Sequence, residues 1–176
     1  ERIRKLFAEA LGYALPQTIG DYGIAPHFAK HSENSTAYMV AIHATTRADK
    51  HWKEAYWEEL IRSVTMQGLS VHLPWGNGEE KARAERLAKV SADVVVLPKL
   101  TLAELAQEIA NAKVVVSVDT GLSHLTAALD KPNVILYGAT DPKLIGAYGK
   151  SQHCLIGNGM ENILPYRVLQ VLENEL

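Results

Sequence analysis

Apolar and polar positions along the chain alternate in blocks that predict strands and helices in turn. The sharpest block is the segment 113–118, whose nearly unbroken run of valines is typical of a strand buried on both faces. The tripeptide 119–121 ends that strand, and a helix is predicted to begin at the same turn. Such a helix start offers unpaired N–H groups and a positive dipole end to a phosphate, although a plain capping turn gives the same pattern. The predicted apolar face of that helix consists of Leu122, Leu125, Ala128 and Leu129.

The same block of strand followed by helix recurs along most of the chain. Predicted strands cover 38–43, 69–73, 93–97, 113–118 and 133–137, with a short edge strand at 152–156. Predicted helices cover 52–67, 79–90, 101–111, the segment from 121, and about 162–173. Thr101 and Glu104 are spaced as a capping box. Strands that alternate with helices predict one parallel sheet with helices on both faces, which is an α/β doubly wound, Rossmann-like domain.

The first 34 residues have a different pattern. An amphipathic helix is predicted over 1–11, and Gly12 is predicted to end it. Prolines and glycines among polar residues follow, which is typical of a connecting segment. We therefore predict a linker helix with its connecting segment over 1–34 and a Rossmann-like domain over 35–176. Because the chain opens on Glu1 within a helical pattern, we expect it to be a piece of a longer protein.

Composition narrows the class of protein. The 176 residues carry a net charge of −2, and the pI is about 6.4, so no basic field predicts nucleic-acid binding. The single cysteine, Cys154, excludes an internal disulfide and favours a reducing, cytoplasmic compartment. His27 and His31 have the four-residue spacing of zinc ligands, but Pro26 predicts a loop or a very short helix there. We therefore predict no metal site.

Chemistry is concentrated in the loops that follow the strands. Ligands of doubly wound sheets bind outside the carboxyl ends of the strands. The loops after strands one, three, four and five, with the turn after strand two, should therefore converge on one crevice. Thr45, Thr46, Arg47 and Lys50 follow strand one, and hydroxyl groups with cations suit the oxygens of a diphosphate. A solvated basic loop is the alternative interpretation.

Two other loop residues fit a nucleotide. Glu80 follows strand two, and its carboxylate suits ribose hydroxyls, although a carboxylate in the first turn of a helix is common on dipole grounds alone. Leu100 follows strand three and is predicted to form an apolar wall for a base. The alternative is that this leucine only packs against the protein core, as leucines more often do. The chain has no GxGxxG fingerprint, which argues against an NAD-binding domain. Segments 121–125 and 149–151 fail as a nucleophile elbow and as a phosphate loop.

Longer motifs resemble a known family. The segments AIHATTRADKHW (41–52) and SVDTGLSHLTAA (117–128) are similar to hallmark segments of the bacterial heptosyltransferases, glycosyltransferase family 9. LPWG (73–76), LPK (97–99) and YGATDP (137–142) match as well. Within the family, the likeness is greatest to the heptosyltransferase I group. Heptosyltransferase II or III, another nucleotide-sugar transferase and a non-catalytic nucleotide-binding module remain as alternatives.

The resemblance implies one half of a GT-B fold, with two Rossmann-like domains across a cleft. It implies inverting transfer of L-glycero-D-manno-heptose from ADP-heptose to Kdo2-lipid A, in lipopolysaccharide inner-core biosynthesis. This chain then corresponds to the carboxyl-terminal donor domain, without the amino-terminal domain that holds the acceptor and the general base. No catalytic residue, metal or cofactor is expected in this chain, and the fragment alone is expected to be inactive. The expected location is cytoplasmic, peripheral to the inner membrane.

The resemblance also assigns roles within the donor site. Thr120 and Gly121, through their N–H groups, and Lys50 are expected to hold the diphosphate. Asp119 is expected to bind heptose hydroxyls, and His124 to donate to a phosphate or to the sugar. The full set of donor-site residues that the resemblance implies is Thr45, Thr46, Lys50, Glu80, Leu100, Asp119, Thr120, Gly121 and His124.

Overall fold

A computed structural model of the chain describes residues 2–28 and 37–175. Six strands form one sheet: β1 (Tyr38–Ile42), β2 (Ser70–Leu73), β3 (Val94–Val96), β4 (Val114–Val118), β5 (Asn133–Tyr137) and β6 (Gln152–Ile156). The helices are α1 (Arg2–Leu11), α2 (Ala25–Phe28), α3 (Glu54–Met66), α4 (Gly78–Leu87), α5 (Leu102–Asn111), α6 (Gly121–Ala128), α7 (Pro142–Ile145) and α8 (Pro165–Leu172). His31 and the predicted boundary at 34/35 lie outside the described residues.

The sheet is parallel throughout, with the strand order β3-β2-β1-β4-β5-β6. In the register of the central strands, Val40 of β1 is paired with His72 of β2 on one side and with Val115 of β4 on the other. The order reverses between β1 and β4, so the chain leaves these two strands in opposite directions and opens a crevice between their loops. The α/β doubly wound, Rossmann-like prediction is confirmed.

Two hydrophobic cores cover the two faces of the sheet. Because side chains alternate along a strand, Met39 of β1 packs into one core and Val40 into the other. Helices α3, α4 and α8 cover the first face, and α5 covers the second. The inward face of α3 is Trp57, Leu60, Ile61 and Val64, and all four are fully buried.

Several element boundaries differ from the predicted ones. The helix predicted from 52 begins at Glu54, because Trp52 is fully buried outside the helix and its indole N–H donates to the Ile163 carbonyl at 2.7 Å. The last helix begins at Pro165 instead of 162, since proline fits the first helical position and a 3-10 turn precedes it. Helix α7 was not predicted, and Asp141 caps it by accepting from the Lys143 N–H at 2.9 Å.

The face predicted for α6 is found in part: Leu129 is 2% exposed in the second core, and Leu122 and Leu125 pack against that core. The buried residues of this helix are Ser123, Thr126 and Ala127, while Leu122 and Leu125 are only partly buried. The Ser123 hydroxyl donates to the Val118 carbonyl at 3.0 Å, so the helix start is joined directly to the end of β4. Small and hydroxyl-bearing residues allow this close approach, and Leu122 and Leu125 pack against the second core beside it.

Helix α1 is present as predicted, but its apolar face is uncovered within the described residues. Ile3 and Leu6 are 69% and 63% exposed, and Ala8 is the residue of this helix that is buried. Across residues 2–28 and 37–175, no helix combines the length and the apolar character needed to cross a membrane.

Candidate functional site

A cavity of about 300 Å³ opens at the carboxyl edge of the sheet. Four loops contribute to its wall, as the predicted convergence requires: those after β1, β2, β3 and β4. The loop after β5 adjoins them, because the Thr140 hydroxyl donates to Oδ2 of Asp119 at 2.6 Å. The lining residues are Ile42, His43, Ala44, Thr45, Thr46, Pro74, Trp75, Gly76, Glu80, Leu100, Thr101, Leu102, Leu105, Thr120 and Leu122.

The predicted donor-site residues divide into three groups. Five of them line the cavity: Thr45, Thr46, Glu80, Leu100 and Thr120. Lys50 and Asp119 form an ion pair beside it, at the loops after β1 and β4. Gly121 and His124 are exposed on the first turns of α6 and are not part of the cavity wall.

The ion pair between Lys50 and Asp119 is short and largely shielded from solvent. Lys50 Nζ lies 2.6 Å from Asp119 Oδ2, and the two side chains are 12% and 6% exposed. Thr140 donates to the same carboxylate oxygen, so Oδ2 of Asp119 accepts from both Lys50 and Thr140. A lysine ammonium has three N–H donors, so Lys50 retains donors for a ligand while Asp119 balances its charge.

The start of α6 presents backbone N–H groups that have no acceptor among the described residues. They are the N–H groups of Gly121 and Leu122. The Thr120 N–H, in contrast, points to the Ser123 hydroxyl at 3.4 Å. Ser123 is in turn within 3.1 Å of the hydroxyl of buried Ser117. The buried network fixes the helix start and leaves two N–H groups, with the positive end of the helix dipole, for a ligand.

Glu80 is held in the cavity wall by backbone groups. Its Oε2 accepts from the Gly76 N–H at 2.6 Å, and Asn77 caps α4 by accepting from the Glu80 N–H at 3.0 Å. Oε1 makes no hydrogen bond within the described residues, so this oxygen is available to a hydroxyl group of a ligand. The arrangement suits the role predicted for Glu80 at a ribose.

The wall around Leu100 is apolar, as predicted, but it extends further. Leu105 and Leu122 line the same cavity, and they pack against the core on the second face of the sheet. Trp75 also lines it, with its orientation set by an indole N–H that donates to the Leu97 carbonyl at 2.6 Å. An aromatic ring beside leucines suits the flat apolar face of a base.

Arg47 does not join the site. Its guanidinium binds the carboxylate of Asp49, two residues away, and both side chains are about half exposed. That hydrogen bond holds the pKa of the Asp49 carboxyl below its usual value. The solvated-loop interpretation therefore applies to Arg47, while Thr45 and Thr46 of the same loop line the cavity.

Two buried polar residues near the loop were missed by the sequence reasoning. Arg83 of α4 is 9% exposed, and the inward stripe of Glu80, Arg83, Ala84 and Leu87 at helical spacing is the signal that could have revealed it. His43 is fully buried at the end of β1, where neither ring nitrogen makes a hydrogen bond of normal geometry within the described residues. Burial, together with the charge of Arg83, lowers the pKa of His43 to about 4.

Metal-binding clusters are absent from the described part of the chain. Across 2–28 and 37–175, no three His, Cys, Asp or Glu side chains lie close enough together to hold a metal ion. Lys50 places its ammonium beside Asp119, two residues before the start of α6.

Comparison with known proteins gives the family. A model described as glycosyltransferase family 9 (heptosyltransferase) matches residues 1–168. The chain belongs to glycosyltransferase family 9. Lipopolysaccharide heptosyltransferase 1 of Salmonella typhimurium strain LT2 is 59% identical over 154 residues, which are 86% of this chain and 48% of that protein.

Solved structures of the family superpose closely on this chain. Escherichia coli heptosyltransferase WaaC with ADP matches with a TM-score of 0.90 and 51% identity, over 99% of this chain and 56% of that one. The same enzyme with ADP-2-deoxy-2-fluoro heptose matches with a TM-score of 0.86 and 49% identity, over 99% and 55%. The chain therefore spans about half the length of these family members, and its fold is one Rossmann-like half of a GT-B glycosyltransferase.

Proposed function

We propose that this chain is the donor-binding half of a heptosyltransferase of the lipopolysaccharide inner core, with ADP-L-glycero-D-manno-heptose as its donor. The observation that carries the proposal is the start of α6, where the N–H groups of Gly121 and Leu122 have no acceptor among the described residues. Leu122 lines the same cavity as Thr45 and Thr46, and Lys50 is paired with Asp119 just before this helix. The family supports the same ligand, since the structures matched over almost the whole chain contain ADP or an ADP-heptose analogue.

The groups at the cavity suit the parts of an ADP-sugar. The N–H groups of α6, the ammonium of Lys50 and the threonine hydroxyls bind the diphosphate, and Oε1 of Glu80 accepts from the ribose. The apolar wall takes the adenine. In this proposal, Asp119 keeps its bond to Lys50 and offers its second oxygen, Oδ1, to a heptose hydroxyl. His124 stands one turn further along α6, where its exposed ring can donate to the sugar or a phosphate.

The transfer reaction follows from this arrangement. An acceptor hydroxyl attacks the anomeric carbon of heptose from the side opposite ADP, the bond from that carbon to the diphosphate oxygen breaks, and the configuration inverts. The proton of the hydroxyl passes to a base on the other half of the enzyme. Negative charge grows on the leaving ADP oxygen, where Lys50 and the helix dipole stabilise it without a metal.

We propose Kdo2-lipid A as the acceptor, bound by an amino-terminal half. The support is the 59% identity with a lipopolysaccharide heptosyltransferase 1, over 48% of that protein. On this proposal, the full-length enzyme works at the cytoplasmic face of the inner membrane, where a soluble nucleotide sugar meets a lipid acceptor. The present chain then binds the donor without completing the reaction.

Isothermal titration of the 176-residue chain with ADP and with UDP tests the donor assignment. We expect ADP to bind and UDP to bind at least about tenfold more weakly, since the apolar wall is larger than a pyrimidine needs. Equal affinities, or no binding of ADP, would overturn the assignment. A transfer assay with ADP-heptose and Kdo2-lipid A should show no product with this chain alone and restored product when an amino-terminal half is supplied. Turnover by the chain alone would contradict the proposed division of labour.

A further inference from the structure

The loop after β1 is anchored by a histidine that lies between two fixed partners. Nε2 of His51 lies 2.7 Å from the carbonyl oxygen of Thr45, and Nδ1 lies 2.7 Å from a terminal nitrogen of Arg83. The loop between them has a single 3-10 turn, Ala48–Lys50, and carries the hydroxyl groups and the ammonium of the donor site. The imidazole therefore ties the loop after β1 to helix α4.

The two contacts fix the position of the proton on the imidazole. A guanidinium donates hydrogen bonds and accepts none, so Nδ1 of His51 must be the unprotonated nitrogen. A carbonyl oxygen accepts and cannot donate, so Nε2 must carry the proton that reaches Thr45. If Nδ1 also carried a proton, Nδ1 and the Arg83 nitrogen would both be donors and could not form a hydrogen bond with each other. This series of hydrogen bonds, from Arg83 through His51 to the Thr45 carbonyl, is called the relay here, and it requires the tautomer of His51 with its proton on Nε2.

The Arg83 side chain is itself held by a hydrogen bond to the backbone of a buried residue. Its second terminal nitrogen donates to the Trp52 carbonyl, and Trp52 is anchored by its indole N–H on Ile163. The nearest carboxylate, Glu54, is engaged by Arg86 at 2.6 and 2.9 Å, so Arg83 makes no salt bridge within the described residues. The contacts that hold Arg83 are therefore its hydrogen bonds to His51 and to the Trp52 carbonyl.

The consequence of the relay appears on the next peptide group. The C=O and N–H groups of a trans peptide point in opposite directions. Because the Thr45 carbonyl points to His51, the Thr46 N–H points away from His51, and it donates to no acceptor within the described residues. Thr46 lines the cavity. An N–H group that lacks a partner at the cavity is available to donate to a phosphate oxygen.

We propose that Arg83 and His51 are positioning residues that aim the Thr46 N–H at the diphosphate of the donor. This inference rests on the proposed function for the identity of the ligand. The relay itself exists before any ligand binds, since each of its hydrogen bonds is internal to the chain.

The ring tautomer of His51 is the first test, and it needs no ligand. Long-range ¹H–¹⁵N spectra of the chain at neutral pH should show His51 with protonated Nε2 and unprotonated Nδ1. A proton on Nδ1, or an even mixture of tautomers, would overturn the relay. Because this measurement is made without nucleotide, it stands even if ADP does not bind and the proposed function fails.

A pair of variants at the same position is the second test. His51→Gln keeps one acceptor and one donor in a planar amide, whereas His51→Leu keeps the volume and loses both. We expect ADP affinity to fall about tenfold in His51→Leu and to stay within about threefold of the original in His51→Gln. A packing role predicts the reverse order, because leucine fills an apolar site better than glutamine, and that order would overturn the proposal. His153→Leu, on the edge strand β6, is the control and should leave ADP affinity unchanged.

Discussion

Lys50 Nζ lies 2.6 Å from Asp119 Oδ2, and this contact joins the loop after β1 to the turn after β4. These two strands are the neighbours between which the strand order reverses, so the ion pair spans the crevice where a doubly wound sheet binds its ligand. Removal of one partner leaves the other as an uncompensated charge with little solvent around it. Loss of this ion pair is therefore expected to change both the stability of the domain and its affinity for the ligand.

Lys50→Met is expected to lower ADP affinity by about 10- to 150-fold, since a charge-assisted hydrogen bond is worth about 1.5–3 kcal/mol. The free energy of unfolding should fall as well, by roughly 3 kcal/mol, because Asp119 loses its cation. Addition of Asp119→Asn should restore most of the stability and none of the ADP affinity. Calorimetry and urea unfolding measure the two effects, with Lys89→Met on the exposed turn after α4 as the control. Unchanged ADP affinity in Lys50→Met would refute the phosphate role.

Gly121→Ala separates folding from binding. A Cβ atom at this position meets nothing within 4 Å, and its backbone φ is outside the left-handed region, so the fold accepts alanine. Helix propensity predicts that the melting temperature stays level or rises. A phosphate that approaches the free N–H groups would meet the new methyl group, so ADP affinity is expected to fall about tenfold. Retained ADP affinity would place the diphosphate elsewhere.

Glu80→Ala tests the ribose contact. Oε1 of Glu80 is the free carboxylate oxygen of the cavity wall, so the original chain should bind ADP better than 2′,3′-dideoxy-ADP by about 1.5–3 kcal/mol. In Glu80→Ala, the two nucleotides should bind equally. Glu79→Ala is a matched control, since it removes a carboxylate from the same first turn of α4 but not from the cavity wall. If Glu80→Ala still binds ADP more tightly than 2′,3′-dideoxy-ADP, the assignment of Glu80 to the ribose is wrong.

His43 gives the domain a predictable sensitivity to acid. Its pKa is about 4 in the folded chain, against about 6.5 when exposed, because burial and the charge of Arg83 disfavour the protonated ring. The unfolded chain binds more protons between these values, so the free energy of unfolding falls as pH falls through 6.5 towards 4. The loss from this group between pH 7.5 and pH 5 is about 2 kcal/mol.

Urea unfolding of the original chain and of His43→Leu at both pH values isolates this effect. Other titrating groups contribute to both proteins, so the difference between the two pH dependences belongs to His43. The original chain should lose about 2 kcal/mol more than the variant between pH 7.5 and pH 5. Equal losses would show that His43 is protonated in the folded domain at pH 5.

The sequence predicted the fold well because its strands are nearly continuous apolar runs and side-chain caps mark the starts of α4 and α5. The capping box of Thr101 and Glu104 is present, with the Thr101 N–H donating to Glu104 at 2.7 Å. The pattern of leucines does not reveal that Ser123 bonds to the end of β4, so the buried Ser123, Thr126 and Ala127 of α6 were not predicted. Periodicity shows which residues are apolar, and it does not show how closely two backbones approach.

The candidate site was predicted where a residue type matched a loop position. Thr45 and Glu80 follow strands and line the cavity, as their positions imply. The partners of His51 and Asp119 were missed, because Arg83 lies within a charged helix and nothing in the sequence around Thr140 points to Asp119. The strand order decides which residues far apart in sequence come into contact. The chemical type of an individual residue gives no information about that order.

A crystal structure of the chain with ADP is the most direct test of the donor site. The account predicts the diphosphate within hydrogen-bond distance of the Gly121 N–H, the Thr46 N–H and Lys50 Nζ, with the ribose against Glu80. A second cavity of about 600 Å³ adjoins the first and includes Arg83 and Arg86 in its wall. A diphosphate bound against those arginines, away from the start of α6, would contradict the account.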